Sequence, residues 1–252
     1  MGWLKNWKRR RVLARHRIDE RLWKAVLSRL PFLRGLSPQE LRRLRELSLL
    51  FLAEKQFSGA RGFALDDAMR LSIAVQACLP ILELGIERYE GWSEIVVHPG
   101  DFKVPVQETD DHGVVHEFDD RRAGESWQGG PVVLSWDAAA HAPDMSVVIH
   151  EFAHKLDMAN GEADGLPPLH SGMDRRAWIA AFRAAYEGFC DAVERDQDTW
   201  LDPYAAQAPA EFFAVISEAF FEAPNETRRR YPDAYDQLRL FYRQDPAKRL
   251  PT

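Results

Sequence analysis

Residues 145–154 of this chain read Met-Ser-Val-Val-Ile-His-Glu-Phe-Ala-His. The residues that lead into it are mostly apolar, which is typical of a buried helix. His150 and His154 are four positions apart, so on a helix they lie one turn apart on the same face. Two imidazoles placed in this way can reach one tetrahedral metal ion. The stretch therefore predicts a buried helix that carries part of a metal site.

Acidic residues supply the remaining candidates for such a site. Glu151 follows the first histidine and could accept a proton from a water at the metal. Catalytic zinc takes three protein ligands and one open position, so a third ligand is expected downstream. Glu211 is the best candidate, because it begins a strongly apolar helix (209–221) in which an acid is costly to bury without a counter-charge. A helix N-terminal acid favoured by the dipole is the alternative for Glu211.

Three further residues have more than one interpretation. Glu218 lies two turns beyond Glu211 on the same helix face, and it is a competing ligand, a hydrogen-bond acceptor for a ligand imidazole, or part of a buried salt bridge. Asp157 shares the face of His154 and could orient the ligands, although capping the following loop through Asn160 and Gly161 is nearly as plausible an interpretation. Tyr204 could donate a hydrogen bond to an oxyanion, although the sequence alone makes it a packing residue.

The pattern along the chain changes twice. Apolar residues recur at helical spacing over 18–91, and helical spacing returns after residue 144. Between them lie short β-type runs separated by Gly, Pro and Asp, at 94–97, 113–116 and 131–135. We therefore expect an α+β fold that is mainly helical, with a small mixed sheet.

These patterns divide the chain into three segments. We expect a basic N-terminal arm (1–17) that is solvated or frayed, a helical block (18–91) packed on the catalytic part, and the catalytic part itself (92–252). An interfacial helix formed by Trp3, Leu4 and Trp7 beside the basic run is the alternative for the arm. No Gly/Ser-rich linker separates the last two segments, so 18–252 should form one compact unit.

The overall composition excludes several classes of protein. The chain has 252 residues, of which 46% are apolar, so it can bury a sizeable core. Its net charge of −6 argues against direct nucleic-acid binding, which needs a basic face. Cys78 and Cys190 have no metal or disulfide spacing and favour a reducing cytoplasm. Neither a secretory signal nor a membrane-spanning stretch is recognisable, so a cytoplasmic monomer without a stable membrane anchor is expected.

Several motifs together resemble one known family. They are the run His-Glu-Phe-Ala-His-Lys-Leu-Asp (150–157), the segment Gly-Glu-Ser-Trp-Gln-Gly-Gly-Pro (124–131), Tyr204, and the run Pro-Ala-Glu-Phe-Phe-Ala-Val (209–215). In these motifs the chain resembles the Mlc titration factor A family of bacterial cytosolic zinc peptidases. The catalytic half is also similar to the protease domain of anthrax lethal factor. The resemblance implies a zincin-like metallopeptidase fold.

The resemblance also implies roles for individual residues. One Zn²⁺ per chain would be held by His150, His154 and Glu211, with Glu151 as the catalytic base and Tyr204 supporting the oxyanion. The family carries a further histidine that can contact the metal, and His116 stands at its position. If His116 fills the open position of the metal, the resting enzyme would be inhibited, and His116→Ala should raise activity while weakening zinc retention.

The implied partners are a peptide and a transcriptional repressor. The family resemblance suggests aminopeptidase-like action on small peptides and a regulatory role through an Mlc-type repressor of sugar uptake by the glucose phosphotransferase system. The strand at 131–135, just before the metal helix, could offer its edge to an extended peptide. The rival hypotheses are a protein that only sequesters the repressor and carries a closed zinc site, and a structural metal site. Hydrolysis that depends on Glu151 would distinguish an enzyme from both.

Overall fold

A computed structural model describes residues 2–109, 115–141 and 146–249 and has a mainly helical α+β fold, as predicted. Ten α-helices lie in this part of the chain: α1 (Gly2–Arg15), α2 (Glu20–Ser28), α3 (Pro38–Glu54), α4 (Asp67–Cys78), α5 (Trp136–His141), α6 (Val147–Asp157), α7 (Arg175–Glu194), α8 (Pro209–Glu222), α9 (Pro224–Arg230) and α10 (Pro232–Tyr242). The histidine pair lies on α6 and Glu211 on α8, and these two helices pack against each other.

Six strands form two sheets in the described residues. They are β1 (Gln56–Gly59), β2 (Glu94–His98), β3 (Phe102–Thr109), β4 (Val115–Arg122), β5 (Gly124–Ser126) and β6 (Val132–Ser135). The larger sheet has the order β1-β2-β6-β5, with β5 antiparallel to β6 and the other pairs parallel. β3 and β4 pair separately as an antiparallel ribbon. The sheet is therefore small and mixed, as the sequence predicts.

The sheet edge nearest α6, the metal helix that carries the histidine pair, is formed by a different strand from the one predicted. The strand at 131–135 was expected to offer a free edge, but β6 lies between β2 and β5 and both of its edges are paired. The three-residue strand β5 takes the edge position instead. The prediction was wrong because β5, the strand that covers this edge of β6, could not be recognised in the sequence. Three residues are too few to show a pattern of alternation.

The other edge of the same sheet comes from the helical block. β1 lies within the segment 18–91, immediately after α3, and pairs in parallel with β2. The sheet therefore joins residues on both sides of position 91. β1 could not be recognised in the sequence, because four residues that follow a helix are too few to establish a period of two.

The N-terminal segment is helical, whereas a solvated or frayed arm was expected. α1 packs on α3, and the Arg9 guanidinium forms ion pairs with Glu54, Glu87 and Glu90. Lys5 also binds Glu90, at 2.7 Å. Carboxylates from α3 and from the 3-10 helix Ile86–Tyr89 and its C-cap residue Glu90 thus hold α1 on the rest of the chain.

A cluster of aromatic rings packs behind the metal helix. Phe152 of α6 is fully buried, and its ring centroid lies 5.0 Å from Tyr89, 5.5 Å from Phe51 and 5.7 Å from Trp92. Its three partners come from α3 and from the segment between α4 and β2. The N-terminal half therefore supplies the wall against which the metal helix rests.

Two simpler predictions concern cysteines and membrane spans. Cys78 is buried and Cys190 is half-buried, and both are free thiols. Among the described helices, none combines the length and the apolar character needed to cross a bilayer.

Candidate metal centre

The metal helix is fixed at its beginning by a buried serine. The Ser146 hydroxyl accepts a hydrogen bond from the Ile149 N–H at 3.2 Å, which caps α6. The same hydroxyl donates to Gln76 Oε1 of α4 at 2.7 Å. The first turn of α6 is therefore tied to the helical block, and the two histidines follow within the next two turns.

Three ligand atoms from α6 and α8 converge on one point. Glu211 Oε2 lies 3.1 Å from His150 Nε2 and 3.2 Å from His154 Nε2, and the two Nε2 atoms are 3.1 Å apart. Ligands about 2.0–2.1 Å from a tetrahedral ion would be roughly 3.3 Å from one another. The predicted residues His150, His154 and Glu211 thus form a group able to hold a metal ion.

The charges of the site also fit a cation. Three carboxyl groups, of Glu151, Glu211 and Glu218, share a mostly buried region with the two imidazoles. Burial would raise the pKa of Glu211, but hydrogen bonds with His150 and His154 hold that pKa well below its ordinary value. Burial also opposes a charge on His150, yet Glu211 and Glu218 raise its pKa well above the ordinary value. The cluster therefore favours positive charge at its centre.

Glu218 orients one of the two imidazoles. His150 Nδ1 and Glu218 Oε1 are 2.6 Å apart, so the ring donates its N–H to this carboxylate and turns Nε2 toward Glu211. Burial raises the pKa of Glu218, and the hydrogen bond with His150 opposes that effect. Of the alternatives left open by the sequence, the structure favours the acceptor for a ligand imidazole.

Glu151 lies between the ligands and the edge strand. It is 4% exposed, and burial raises the pKa of its carboxyl group while the two histidines oppose that rise. A Cβ atom added to Gly124 of β5 would lie 2.7 Å from Glu151 Cδ and still closer to Oε1. Ser126 Oγ donates to the Glu151 backbone carbonyl at 2.9 Å. The edge strand thus lies directly on the Glu151 face of α6, a contact that the sequence analysis did not anticipate.

Tyr204 lies beside His150, one of the candidate metal ligands. It belongs to the 3-10 helix Pro203–Ala206, which packs on α8, and its N–H donates to Asp202 Oδ1 at 2.8 Å. Its ring centroid is 6.2 Å from that of His150, and the side chain is 40% exposed. The structure therefore places this phenol beside the ligand cluster, with part of its surface open to solvent.

Asp157 serves the loop after α6. Its Oδ2 accepts a hydrogen bond from the Gly165 N–H at 2.8 Å, and its Oδ1 has no partner among the described residues. His154 Nδ1 also has no such partner, so the suggested hydrogen bond from a ligand imidazole to Asp157 is not formed. Burial raises the pKa of Asp157 to about 6. The loop-capping alternative describes this residue better, although its partner is Gly165 rather than the segment 160–161.

Comparison with known proteins identifies the family. Residues 4–243 match the family described as glucose-regulated metallo-peptidase M90. The chain belongs to this M90 family. It is 41% identical over 236 residues to Mlc titration factor A of Salmonella gallinarum, which covers 90% of this chain and 88% of the relative. It is 39% identical over 233 residues to Mlc titration factor A of Cronobacter sakazakii, with coverage of 90% and 88%. An uncharacterised Synechocystis protein is 40% identical over 231 residues, with coverage of 89% and 84%.

His116 lies in β4, but its side chain is outside the part of the chain that the structure describes. Lys155 was not singled out by the sequence analysis. It is 5% exposed, and its Nζ donates to the carbonyls of Trp127 at 2.6 Å and Gly130 at 2.8 Å. Lys155 thus holds the turn between β5 and β6. No sequence pattern predicts this contact, because it depends on the three-dimensional path of the chain.

Proposed function

We propose that the protein is a zinc-dependent peptidase of the cytoplasm that acts on small peptides in an aminopeptidase-like manner. The observation that carries the proposal is the convergence of His150, His154 and Glu211 within about one ligand spacing, with the Glu151 carboxyl group beside them. A structural metal site does not need an acid in that position, whereas hydrolysis does.

Each residue of the site has a distinct task in this proposal. His150, His154 and Glu211 would hold the ion, which supplies a Lewis acid that activates water and polarises a peptide carbonyl. Glu151 accepts the proton of the attacking water and passes it to the leaving amine. Tyr204 donates its hydroxyl to the developing oxyanion, a role that its place beside His150 supports.

The edge strand offers a place for the substrate backbone. Within the described residues β5 pairs with β6 on one side only, and it contacts Glu151 through Gly124 and Ser126. An extended peptide added to the outer edge of β5 would pass beside the metal ligands, held by backbone hydrogen bonds. This arrangement replaces the edge of β6 that the sequence had suggested.

A regulatory role is the second part of the proposal. The relatives named Mlc titration factor A cover nine-tenths of this chain, and that name refers to a protein that titrates Mlc. We infer that this chain binds an Mlc-type repressor, either besides hydrolysis or in place of it. Glu151→Gln separates the possibilities, because it removes the proposed base and leaves the three metal ligands and the outer surface unchanged.

The first experiment measures metal content and peptide hydrolysis for the parent protein and for Glu151→Gln, each with a chelator control. We expect about one zinc per chain in both. The variant should lose at least about 100-fold in kcat/KM, because proton transfer by a positioned base contributes that much. Zinc binding without hydrolysis in either protein would refute the peptidase proposal and leave repressor binding as the function to test.

A further inference from the structure

A tryptophan stands exposed at the end of the edge strand. Trp127 follows Ser126, the residue that binds the Glu151 carbonyl, and its side chain is 54% exposed. Trp127 is the most exposed of the few large hydrophobic residues that lie at the surface of the described chain, which are Trp7, Trp127, Ile179, Tyr204 and Leu240. Two of these, Trp127 and Tyr204, adjoin the site. An indole exposed beside the site offers a bound molecule a large, rigid apolar contact surface.

The backbone that carries this indole is held on several sides. The Trp127 carbonyl accepts hydrogen bonds from Lys155 Nζ at 2.6 Å and from the Gly130 N–H at 3.0 Å. The Trp127 N–H donates to the Pro131 carbonyl at 3.2 Å. A Cβ atom at Gly130 would lie 3.0 Å from Trp127 Cβ, so the turn packs closely under the side chain. These contacts fix the backbone from which the exposed ring projects, and the buried Lys155 provides one of them.

Strand alternation determines which way the ring faces. Gly124 and Ser126 both turn toward α6, where they meet Glu151. The bond from Trp127 to Pro131 extends the ladder one step beyond the Ser126–Val132 pair. Because successive side chains of a strand alternate, Trp127 lies on the face opposite α6. It is three residues from Gly124, or about 10 Å along the strand.

We propose that Trp127 is a platform for one apolar or aromatic side chain of an extended peptide bound on the outer edge of β5. Directly opposed residues of paired strands contact each other on the same face, so the residue opposite Trp127 would rest on the indole. That residue lies three positions from the one opposite Gly124, which is beside Glu151. The inference rests on the proposed peptidase function and extends its substrate class to longer peptides with an apolar residue at this distance.

Peptide binding tests the platform without relying on turnover. The protein is zinc-loaded Glu151→Gln, and the probes are fluorescent Ala/Ser peptides in which a single Phe is moved one position at a time. One position of Phe should tighten binding by about tenfold, the scale of an aromatic pair. Adding Trp127→Ala should abolish this preference, and Trp127→Phe should keep most of it. Trp7→Ala, which removes another exposed tryptophan, should leave it unchanged.

The outcomes separate the platform from the peptidase proposal. An identical Phe preference with and without the Trp127 indole, in variants of equal zinc content and thermal midpoint, would overturn the platform. The platform would also be overturned if the parent and Trp127→Ala cleaved peptides with the same preference for Phe. The peptidase proposal would stand in that case. Trp127-dependent binding in a parent that cleaves nothing would support the platform and refute the peptidase.

Discussion

His150 and Glu218 join the two helices of the metal site through a hydrogen bond of 2.6 Å between Nδ1 and Oε1. Glu218 is 2% exposed and lies on α8, the helix that also carries Glu211. One face of α8 therefore contacts both nitrogens of the same imidazole, Nδ1 through Glu218 and Nε2 through Glu211. Any shift of α8 against α6 would disturb the ligand and its support together.

Replacing Glu218 with Gln should weaken zinc binding by about 10- to 100-fold, the usual effect of losing a carboxylate behind a ligand histidine. The amide cannot stabilise the polarised imidazole as the carboxylate does. Competition with a chromogenic chelator measures the affinity. Glu187→Gln, which changes an exposed acid of α7, is the matched control and should bind zinc like the parent. Equal affinities for all three proteins would mean that Glu218 does not support the ligand.

Gly124→Ala should reduce hydrolysis by at least about tenfold and leave the zinc content unchanged. The new Cβ would lie 2.7 Å from Glu151 Cδ, and Glu151 is too buried to move aside freely. A misplaced catalytic group commonly costs up to about 100-fold in rate. Steady-state kinetics and metal analysis of the same preparation provide the test.

The control for this substitution is Gly188→Ala in α7, where an added Cβ meets nothing within 4 Å. It should keep full activity and gain up to about 1 kcal/mol in stability, because Ala favours a helix. Full activity in Gly124→Ala would show that Glu151 can act from a second position.

Phe152→Ala should lower the free energy of unfolding by about 3–5 kcal/mol, because it leaves a cavity among Phe51, Tyr89 and Trp92. Urea denaturation followed by circular dichroism measures the loss. Ile179→Ala, at a position that is 41% exposed, should change stability by no more than about 0.5 kcal/mol. A loss below about 1 kcal/mol for Phe152→Ala would contradict the view that these rings form one packed wall.

Lys55 should make stability rise with pH above neutrality. Its Nζ lies 3.6 Å from the centre of the Trp92 ring and donates to the carbonyls of Tyr89 and Trp92, and burial lowers its pKa to about 8. An unfolded lysine keeps its proton up to about pH 10.4. Between these pKa values the unfolded chain binds more protons, so raising the pH favours the folded state.

The measurement is urea unfolding of the parent and of Lys55→Met between pH 8 and pH 9.5. The parent should gain about 1 kcal/mol more than the variant over this interval, once solvent screening is discounted. Tyrosine ionisation is common to both proteins, so the difference isolates Lys55. Parallel curves would show that Lys55 titrates with an ordinary pKa in the folded chain.

The parts of the site that lie on single helices could be predicted from sequence. The spacing of His150 and His154 predicts that they share one helix face. Glu211 could be recognised as a ligand candidate because it is an acidic residue in the apolar segment that forms α8. Both conclusions depend only on helical periodicity and on the cost of burying charge. The same periodicity gave the mainly helical α+β class.

The parts that depend on the path of the chain could not be predicted. β5 has three residues, and only its pairing with β6 makes it the edge strand. Helical spacing places Asp157 on the same face as His154. In the structure, however, the loop after α6 brings the Gly165 N–H to the Asp157 carboxylate. Lys155 reaches Trp127 because the turn after β5 folds over α6. In each case the partner lies outside the local window in which a sequence pattern operates.

The strand β1 relates the order of synthesis to the assembly of the site. It belongs to the first quarter of the chain, and together with Phe51 it is synthesised before α6. The rings that pack on Phe152 and all six described strands precede α6 in the chain, so they are synthesised before the helix that carries the histidine pair. A circular permutant that begins near residue 92 would place β1, Phe51 and Tyr89 after α6 in the order of synthesis and leave β2, β5 and β6 before it.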